Sequence, residues 1–263
     1  MDLIANVSLL FTERPMLERL PAAIAAGFDG VEIQFPYDLD PVLLRHLAGE
    51  CPIHLINAPA GDPANGDVGL STDAGRVVGF REGIEVARRY AEVTGCRKVN
   101  VLAGPPPANQ PEDVTRRVLV ENVRALADAL AADGRQVMVE MVNPTDVPGF
   151  FVDSLDKALA LIAEIDHPAV RLQFDLYHVA RTEPDLIAAI YRAGDLIGHV
   201  QFADTPGRNE PGTGTIDFAT AFRVLRQVGY VGAMSAEYRP LGRTEAGLGW
   251  MQDLRTSLAG RGA

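Results

Sequence analysis

Cysteine is nearly absent from this chain: only Cys51 and Cys96 occur among 263 residues. They lack the close spacing of a zinc or redox motif, and two are too few for a disulfide scaffold. Two buried thiols in a reducing cytoplasm are the expectation. Histidine is scarce as well, with five scattered residues, and positive charge is in deficit, giving a formal net charge of −11. That balance disfavours a nucleic-acid partner, which needs a basic surface. It leaves open a small anionic substrate, which needs only a local cationic pocket. No apolar run approaches the roughly 20 residues needed to span a bilayer, so no membrane partner is expected. The opening MDLIANVSLLFTERP lacks a basic leader followed by a long apolar stretch and reads as a first strand and turn. No linker, low-complexity segment or charge run divides the chain, so residues 1–263 are read as one domain.

What the sequence does contain is an alternation of short apolar runs with longer amphipathic stretches. The runs predict strands near 3–8, 30–34, 53–57, 97–102, 136–140, 170–175, 197–202 and 232–237. Helices are predicted over 15–26, 40–49, 74–94, 112–132, 154–165, 183–193, 217–228 and 244–259. Local signals agree: Gly27 and Gly229 follow apolar helical segments as C-terminal caps do, and Ser154 and Asp217 stand where N-caps belong. Phe218, Ala221, Phe222 and Leu225 form one stripe, the spacing of a helix face packed on a sheet. Eight strand–helix units of this length imply parallel strands closed into a (β/α)₈ barrel. A doubly wound open sheet would want a glycine-rich turn after the first strand, and Ser8-Leu9-Leu10-Phe11 has none.

In such a barrel the active site is built at the C-terminal ends of the strands. The predicted strands end in polar groups: Asn57, Asn100, Glu140, Asp175, Gln201 and Glu237. One acidic residue at a strand end is ordinarily a helix cap or turn former. Oxygen donors on four consecutive strands should instead converge over the barrel mouth. Three carboxylates gathered without a cation would repel, and one would stay protonated. A divalent metal resolves the conflict, and an all-oxygen shell from Glu140, Asp175, Gln201 and Glu237 suits Mg²⁺ or Mn²⁺ better than zinc. Glu140 and Glu237, on opposite sides, are the candidate proton-transfer pair. His178, three residues past Asp175, and Arg208, in the loop after strand 7, are candidate substrate contacts. Glu32 is read either as a support to the ligands or as a buried salt bridge, and His199 as a packed core histidine. His46, His54 and His167 carry no functional expectation. Leu248 and Trp250 would cover either a neighbouring subunit in a homo-oligomer or the barrel's own helices.

At these residues the chain resembles the hydroxypyruvate isomerase and 2-oxo-tetronate isomerase family of xylose-isomerase-like barrels. The resemblance runs nearly end to end, through ANVSLLFTERP, AGFDGVEIQFPY, NAPAGD, VEMVNP and QFDLYH. HVQFADTPGRNEPGTGTIDF and GYVGAMSAEYRPLGRTEAGLGW are its longest and most specific blocks. It implies metal ligands at Glu140, Asp175, Gln201 and Glu237, proton transfer by Glu140 and Glu237, and substrate contacts by His178 and Arg208. It also implies an aldose–ketose shift on hydroxypyruvate or a longer oxo-acid, a small hydroxy-oxo acid in either case. Asn209, Thr215 and Arg239 depart from the family's usual GRHEPG, GTGEI and EYKP, and Asn100 stands where histidine is common. These departures alter the lip of the pocket rather than the ligands. The rivals are a ketose 3-epimerase, a phosphodiesterase acting on abasic DNA, and a non-catalytic sugar-acid-binding barrel.

Overall fold

The structure, a computed structural model, describes residues 1–259; the last four residues of the predicted 1–263 domain lie outside the described residues. Eight strands close a ring: β1 (Leu3–Asn6), β2 (Gly30–Ile33), β3 (Ile53–Asn57), β4 (Lys98–Val101), β5 (Gln136–Glu140), β6 (Val170–Asp175), β7 (Ile197–Phe202) and β8 (Met234–Ala236). Every pairing is parallel, and β8 returns to β1 through Leu3↔Met234, Ile4↔Ser235 and Ala5↔Ala236. Helices α1 (Met16–Ala25), α2 (Pro41–Ala48), α3 (Val77–Thr94), α4 (Glu112–Ala131) and α5 (Leu155–Ile165) cover the first five units. The remainder are α6 (Leu176–Ala180), α7 (Leu186–Ala193), α8 (Phe218–Gln227) and α9 (Trp250–Ala259). This is the (β/α)₈ barrel that the alternation of apolar runs predicts.

The caps form as expected. Gly27 and Gly229 both lie at left-handed φ, +92° and +90°, which costs glycine little. Each sits in a Schellman turn: Phe28 N–H reaches Ala23 O and Gly27 N–H reaches Ile24 O, while Tyr230 reaches Leu225 O and Gly229 reaches Arg226 O. The Ser154 hydroxyl accepts from Lys157 N–H, and the Asp217 carboxylate from Thr220 N–H. The α8 stripe is buried against the ring, with Phe202 of β7 in edge contact with Phe218 and Phe222. Truncating Phe222, 1% exposed, would cost about 3–5 kcal/mol.

Several boundaries move. The first strand stops at Asn6 rather than at residue 8, because Leu9 and Leu10 N–H turn back to Asn6 O. The predicted 183–193 helix is α7, starting at Leu186, and an additional short helix, α6, precedes it because Asp175 caps it directly at the end of β6. The predicted 244–259 helix begins as a 3₁₀ turn over Thr244–Gly247 before α9. Cys96 is buried, whereas Cys51 is only partly buried, and both are free thiols. Trp250 is turned inward: it meets Phe202 and Tyr238 edge to face and Phe28 at a tilt, and its Nε1–H donates to the Tyr238 hydroxyl at 3.1 Å. It covers the barrel itself. Among the described residues, no helix is long and apolar enough to cross a membrane.

The apolar core fills the shell between ring and helices. Ile4, Leu55 and Met138 are buried apart from that shell. Glu32 on β2 reaches His199 and Gln201 on β7, strands that are not neighbours in the ring, so a buried polar network crosses the barrel interior toward its C-terminal mouth.

Candidate active site

All four expected ligands stand at the mouth. Glu140 and Asp175 are the last residues of β5 and β6, Gln201 is the penultimate residue of β7, and Glu237 directly follows β8. Strand register places Asp175 beside Gln201. Glu237 N–H donates to Phe202 O at 3.0 Å, which extends the β7–β8 pairing by one residue and fixes its carboxylate. All four residues are buried, at 6%, 1%, 1% and 3% exposure.

Concentrating carboxylates in a dry site has the expected electrical result. Burial, then the charges of Glu237 and Asp175, push the Glu140 carboxyl well above its ordinary value. Burial lifts Glu237 to about 7 against the opposing pull of Arg208, with Asp175 and Glu32 adding to the rise. Asp175 rises to about 6 through burial, again opposed by Arg208. The Arg208 guanidinium, although burial works against its charge, is held protonated by Glu237, Asp175 and Glu140. It donates to Glu237 Oε2 at 2.6 Å and lies 3.5 Å from Asp175 Oδ2.

Asp175 joins the two readings that its position allowed. Its Oδ1 accepts from Tyr177 N–H and caps α6, while its buried Oδ2 has no hydrogen-bond partner among the described residues. Glu140 and Asp175 bring carboxylate oxygens within 4.8 Å of each other and of a His178 ring nitrogen, a triad that shares Glu140 and Asp175 with the expected set but has His178 in place of Gln201 and Glu237. A buried carboxylate oxygen without a hydrogen bond, reached by Arg208 and His178 only at 3.5 Å and set beside other carboxylates with raised pKa values, is an environment that a divalent cation satisfies, so the residues present fit such an ion. The Gln201 amide is engaged at both ends, donating to Glu32 Oε1 at 2.7 Å and accepting from Gln173 Nε2 at 2.6 Å. Its oxygen has a second lone pair to offer.

His178 is held as a donor. Its Nδ1 accepts from the Asn143 backbone N–H at 3.3 Å, and Asn143 Nδ2 lies 2.7 Å from the same atom. Asn143 Oδ1 accepts from Thr145 and Asp146 N–H, which fixes the amide orientation and leaves its NH₂ facing the histidine. Neutral His178 therefore carries its proton on Nε2, which faces Asp175 Oδ2 at 3.5 Å. Burial, then the charges of Arg208 and Arg181, hold its pKa well below the ordinary value, so it stays neutral. That is a hydrogen-bond donor aimed into the site.

Of the two readings left open for Glu32, the structure favours support: it hydrogen-bonds Gln201, and its contact with His199, whose pKa is lowered, is a hydrogen bond rather than an ion pair. Its Oε2 receives His199 Nε2–H at 2.7 Å, and its Oε1 accepts from Gln201 and from Asn6 at 2.7 and 2.8 Å. Burial opposes its charge, but His199, Gln201 and Ser235 keep it ionised. Lys98 Nζ lies 3.4 Å from His199 Nδ1 on the far side, and burial followed by Lys98 lowers the histidine's pKa. His199 is a buried core residue, as expected, with a defined tautomer. Asn6 spans Glu32 and Glu237, and Gln34 donates to the same Glu237 Oε1 at 2.8 Å. Asn100 donates to Glu140 Oε2 at 2.8 Å.

Sequence reasoning overlooked Asn6, Gln34, Asn143 and Asp204. Asn6 obeys the strand-end rule but was hidden by extending the first strand to residue 8. Asp204 gave no signal at all, because its partners are backbone. Its carboxylate accepts from the N–H groups of Thr205, Gly212, Gly214 and Ile216 at 2.8–3.0 Å. This buried clasp folds the loop that carries Arg208. Gly214 is required there, since an added Cβ would lie 2.0 Å from Thr205 O. Two of the lip departures touch each other: Asn209 Nδ2 donates to Arg239 O at 2.7 Å. A separate cavity of about 770 Å³ lies beside α3, lined by Phe35, Tyr37, Pro59 and Val86, and none of the proposed ligands borders it.

The family model for xylose isomerase-like TIM barrels matches residues 20–254. The chain belongs to that family. Within it, the chain is 40% identical to the hydroxypyruvate isomerase of Escherichia coli over 253 residues, covering 95% of this chain and 98% of the other. It is 38% identical to the 2-oxo-tetronate isomerase of Cupriavidus necator, covering 94% and 96%. A Brucella melitensis crystal structure described as an AP endonuclease of family 2 superposes with a TM-score of 0.93 at 36% identity, covering 96% of this chain and 99% of that one. This member of the xylose isomerase-like family is an isomerase of the hydroxypyruvate and 2-oxo-tetronate isomerase group.

Proposed function

We propose that this isomerase interconverts hydroxypyruvate and 2-hydroxy-3-oxopropanoate, or performs the same shift on a related 2-oxo-tetronate, with Glu140 and Glu237 moving a proton between adjacent carbons. The observation that carries the reading is a set of three buried carboxylates at one barrel mouth, each with its pKa raised and two reaching about 6 and 7. A carboxyl that titrates near neutrality can both take and return a carbon-bound proton at working pH. A divalent ion such as Mg²⁺ or Mn²⁺, held by Glu140, Asp175, Gln201 and Glu237, would polarise the substrate carbonyl and its neighbouring hydroxyl.

The remaining groups divide the work. His178 presents Nε2–H to a substrate oxygen, and Arg208 presents its guanidinium beside Glu237. Asn100 holds Glu140, while Asn6 and Gln34 hold Glu237, so neither carboxylate can swing away. The formal net charge of −11 and only five histidines speak against a nucleic-acid substrate.

The test is proton NMR in D₂O with Mg²⁺- or Mn²⁺-loaded protein. Exchange of the carbon-bound proton of hydroxypyruvate or a 2-oxo-tetronate is expected. Absence of exchange with any short oxo-acid overturns the assignment, and exchange on a neutral ketose alone would move it to a 3-epimerase.

A further inference from the structure

Arg181 and Arg208 hold their guanidinium carbons 5.5 and 5.1 Å from the centroid of one ring, Tyr177. Both also reach one carboxylate, Asp146, at 3.9 Å each, and Asp146 accepts a hydrogen bond from the Tyr177 hydroxyl at 3.2 Å. Two cations beside one aromatic ring at a barrel mouth repel each other, and Asp146 offsets that repulsion only from 3.9 Å.

Arg208 Nη2 is well paired with Glu237, but Arg181 and the other face of Arg208 are satisfied poorly. Charge-assisted hydrogen bonds from guanidinium to carboxylate ordinarily close to about 2.7–2.9 Å. Arg181 makes only long contacts, Nε to Asn143 Oδ1 at 3.4 Å and Nη1 to the Pro206 carbonyl at 3.3 Å. Buried Arg208 Nε has no hydrogen-bond partner among the described residues. Arg208 also sits at φ +57°, a left-handed conformation unfavourable for arginine and held by the Asp204 clasp. The unpaired buried donor points to a group that this side chain awaits.

Resting on the proposed oxo-acid reaction, we infer that Arg181 and Arg208 form a two-guanidinium cradle for the substrate carboxylate, making Arg181 a specificity-determining residue that selects acids over neutral sugars. Asp146 holds the two cations at a distance that a ligand carboxylate can improve upon. The dimensions suit a short acid. In a 2-oxo-3-hydroxy acid the carboxylate is bonded directly to one of the two carbons between which the proton moves. Its anchor must then lie close to the proton-transferring groups, and Arg208, 2.6 Å from Glu237, does. Arg181 follows Asp175 and His178 on the same short helical segment, so the chain delivers a metal-site residue, a hydrogen-bond donor and the second cation within seven residues. A neutral ketose would offer Arg181 no anion closer than Asp146 at 3.9 Å, which disfavours its binding relative to an acid.

The cradle is tested by ligand binding rather than turnover. Saturation-transfer NMR on Mn²⁺-free, Mg²⁺-loaded protein reads millimolar ligands, with glycerate as the acid probe and glycerol as its neutral counterpart. Wild type should bind glycerate at least tenfold more tightly than glycerol. R181Q should lose at least tenfold in glycerate affinity while its glycerol affinity moves less than twofold. R181K, which keeps the charge but loses the planar fork, should lie between. Equal glycerate binding by wild type, R181Q and R181K overturns the cradle, as does a loss shared equally by glycerol. Should R181Q fail to fold, R181K alone decides, with unchanged glycerate affinity counting against the proposal. If the binding pattern holds but no oxo-acid exchanges its proton, the reaction assignment falls and the cradle stands. Proton exchange with unchanged glycerate binding overturns the cradle only.

Discussion

Arg208 Nη2 donates to Glu237 Oε2 at 2.6 Å, and the guanidinium opposes the rise that burial imposes on this carboxyl. Burial lifts Glu237 to about 7, and Arg208 is the largest influence holding it that low. In Arg208→Ala the carboxyl should therefore titrate higher still. If ionised Glu237 is the base, the acid limb of the kcat/KM profile moves to higher pH, alongside an overall loss on the order of 10²-fold or more. A profile whose acid limb stays in place would show that Glu237 is not the group being titrated.

Glu140→Gln keeps the shape and the hydrogen bond from Asn100 but removes the proton acceptor. Turnover should fall by on the order of 10³-fold or more while the fold persists. Steady-state kinetics with circular dichroism and thermal melting check both halves, and near-wild-type activity would remove Glu140 from proton transfer.

Cation stabilisation should grow with pH. Glu237 and Asp175 have folded-state values of about 7 and 6, above those of ordinary carboxyls. A raised folded pKa gives stability that is full below the unfolded value and lost as pH climbs through the folded one. Without metal, then, these groups cost stability increasingly from pH 4.5 to 7. A divalent ion binds the deprotonated forms and reverses that loss. Thermal melts with and without Mn²⁺ should show a larger upward shift at pH 8 than at pH 5.5. An equal shift at both would place the ion elsewhere.

Asp204→Ala removes the acceptor for four backbone amides of the Arg208 loop. A destabilisation of about 3 kcal/mol is expected, several unsatisfied groups being partly relieved by water. Since the loop carries Arg208, kcat/KM should fall as well. Urea unfolding paired with kinetics measures both, and unchanged values for either would mean that the loop is held by other contacts.

The barrel was legible because its signal repeats. Eight alternations, reinforced by caps such as Gly27, Gly229, Ser154 and Asp217, each act locally and were readable one at a time. Glu140, Asp175, Gln201 and Glu237 were legible for a related reason: a polar residue closing an apolar run has one natural destination in a closed ring. Asn6 follows the same logic and was concealed only by a misplaced strand end. The rest depended on geometry that no local pattern encodes. His178's donor tautomer is set by Asn143, thirty-five positions away. Asp204 binds main-chain groups that look identical in every sequence. The meeting of Arg181 and Arg208 at Tyr177 depends on a loop conformation that only the folded chain reveals.

The Asp204 clasp separates two kinds of change in this region. Because four main-chain hydrogen bonds hold the loop from within, the exposed positions Thr213 and Thr215 can vary without displacing the guanidinium that the loop supports. Selection can therefore reshape what the mouth admits through those side chains and leave the proton chemistry below untouched. A barrel built this way can change its diet one surface residue at a time.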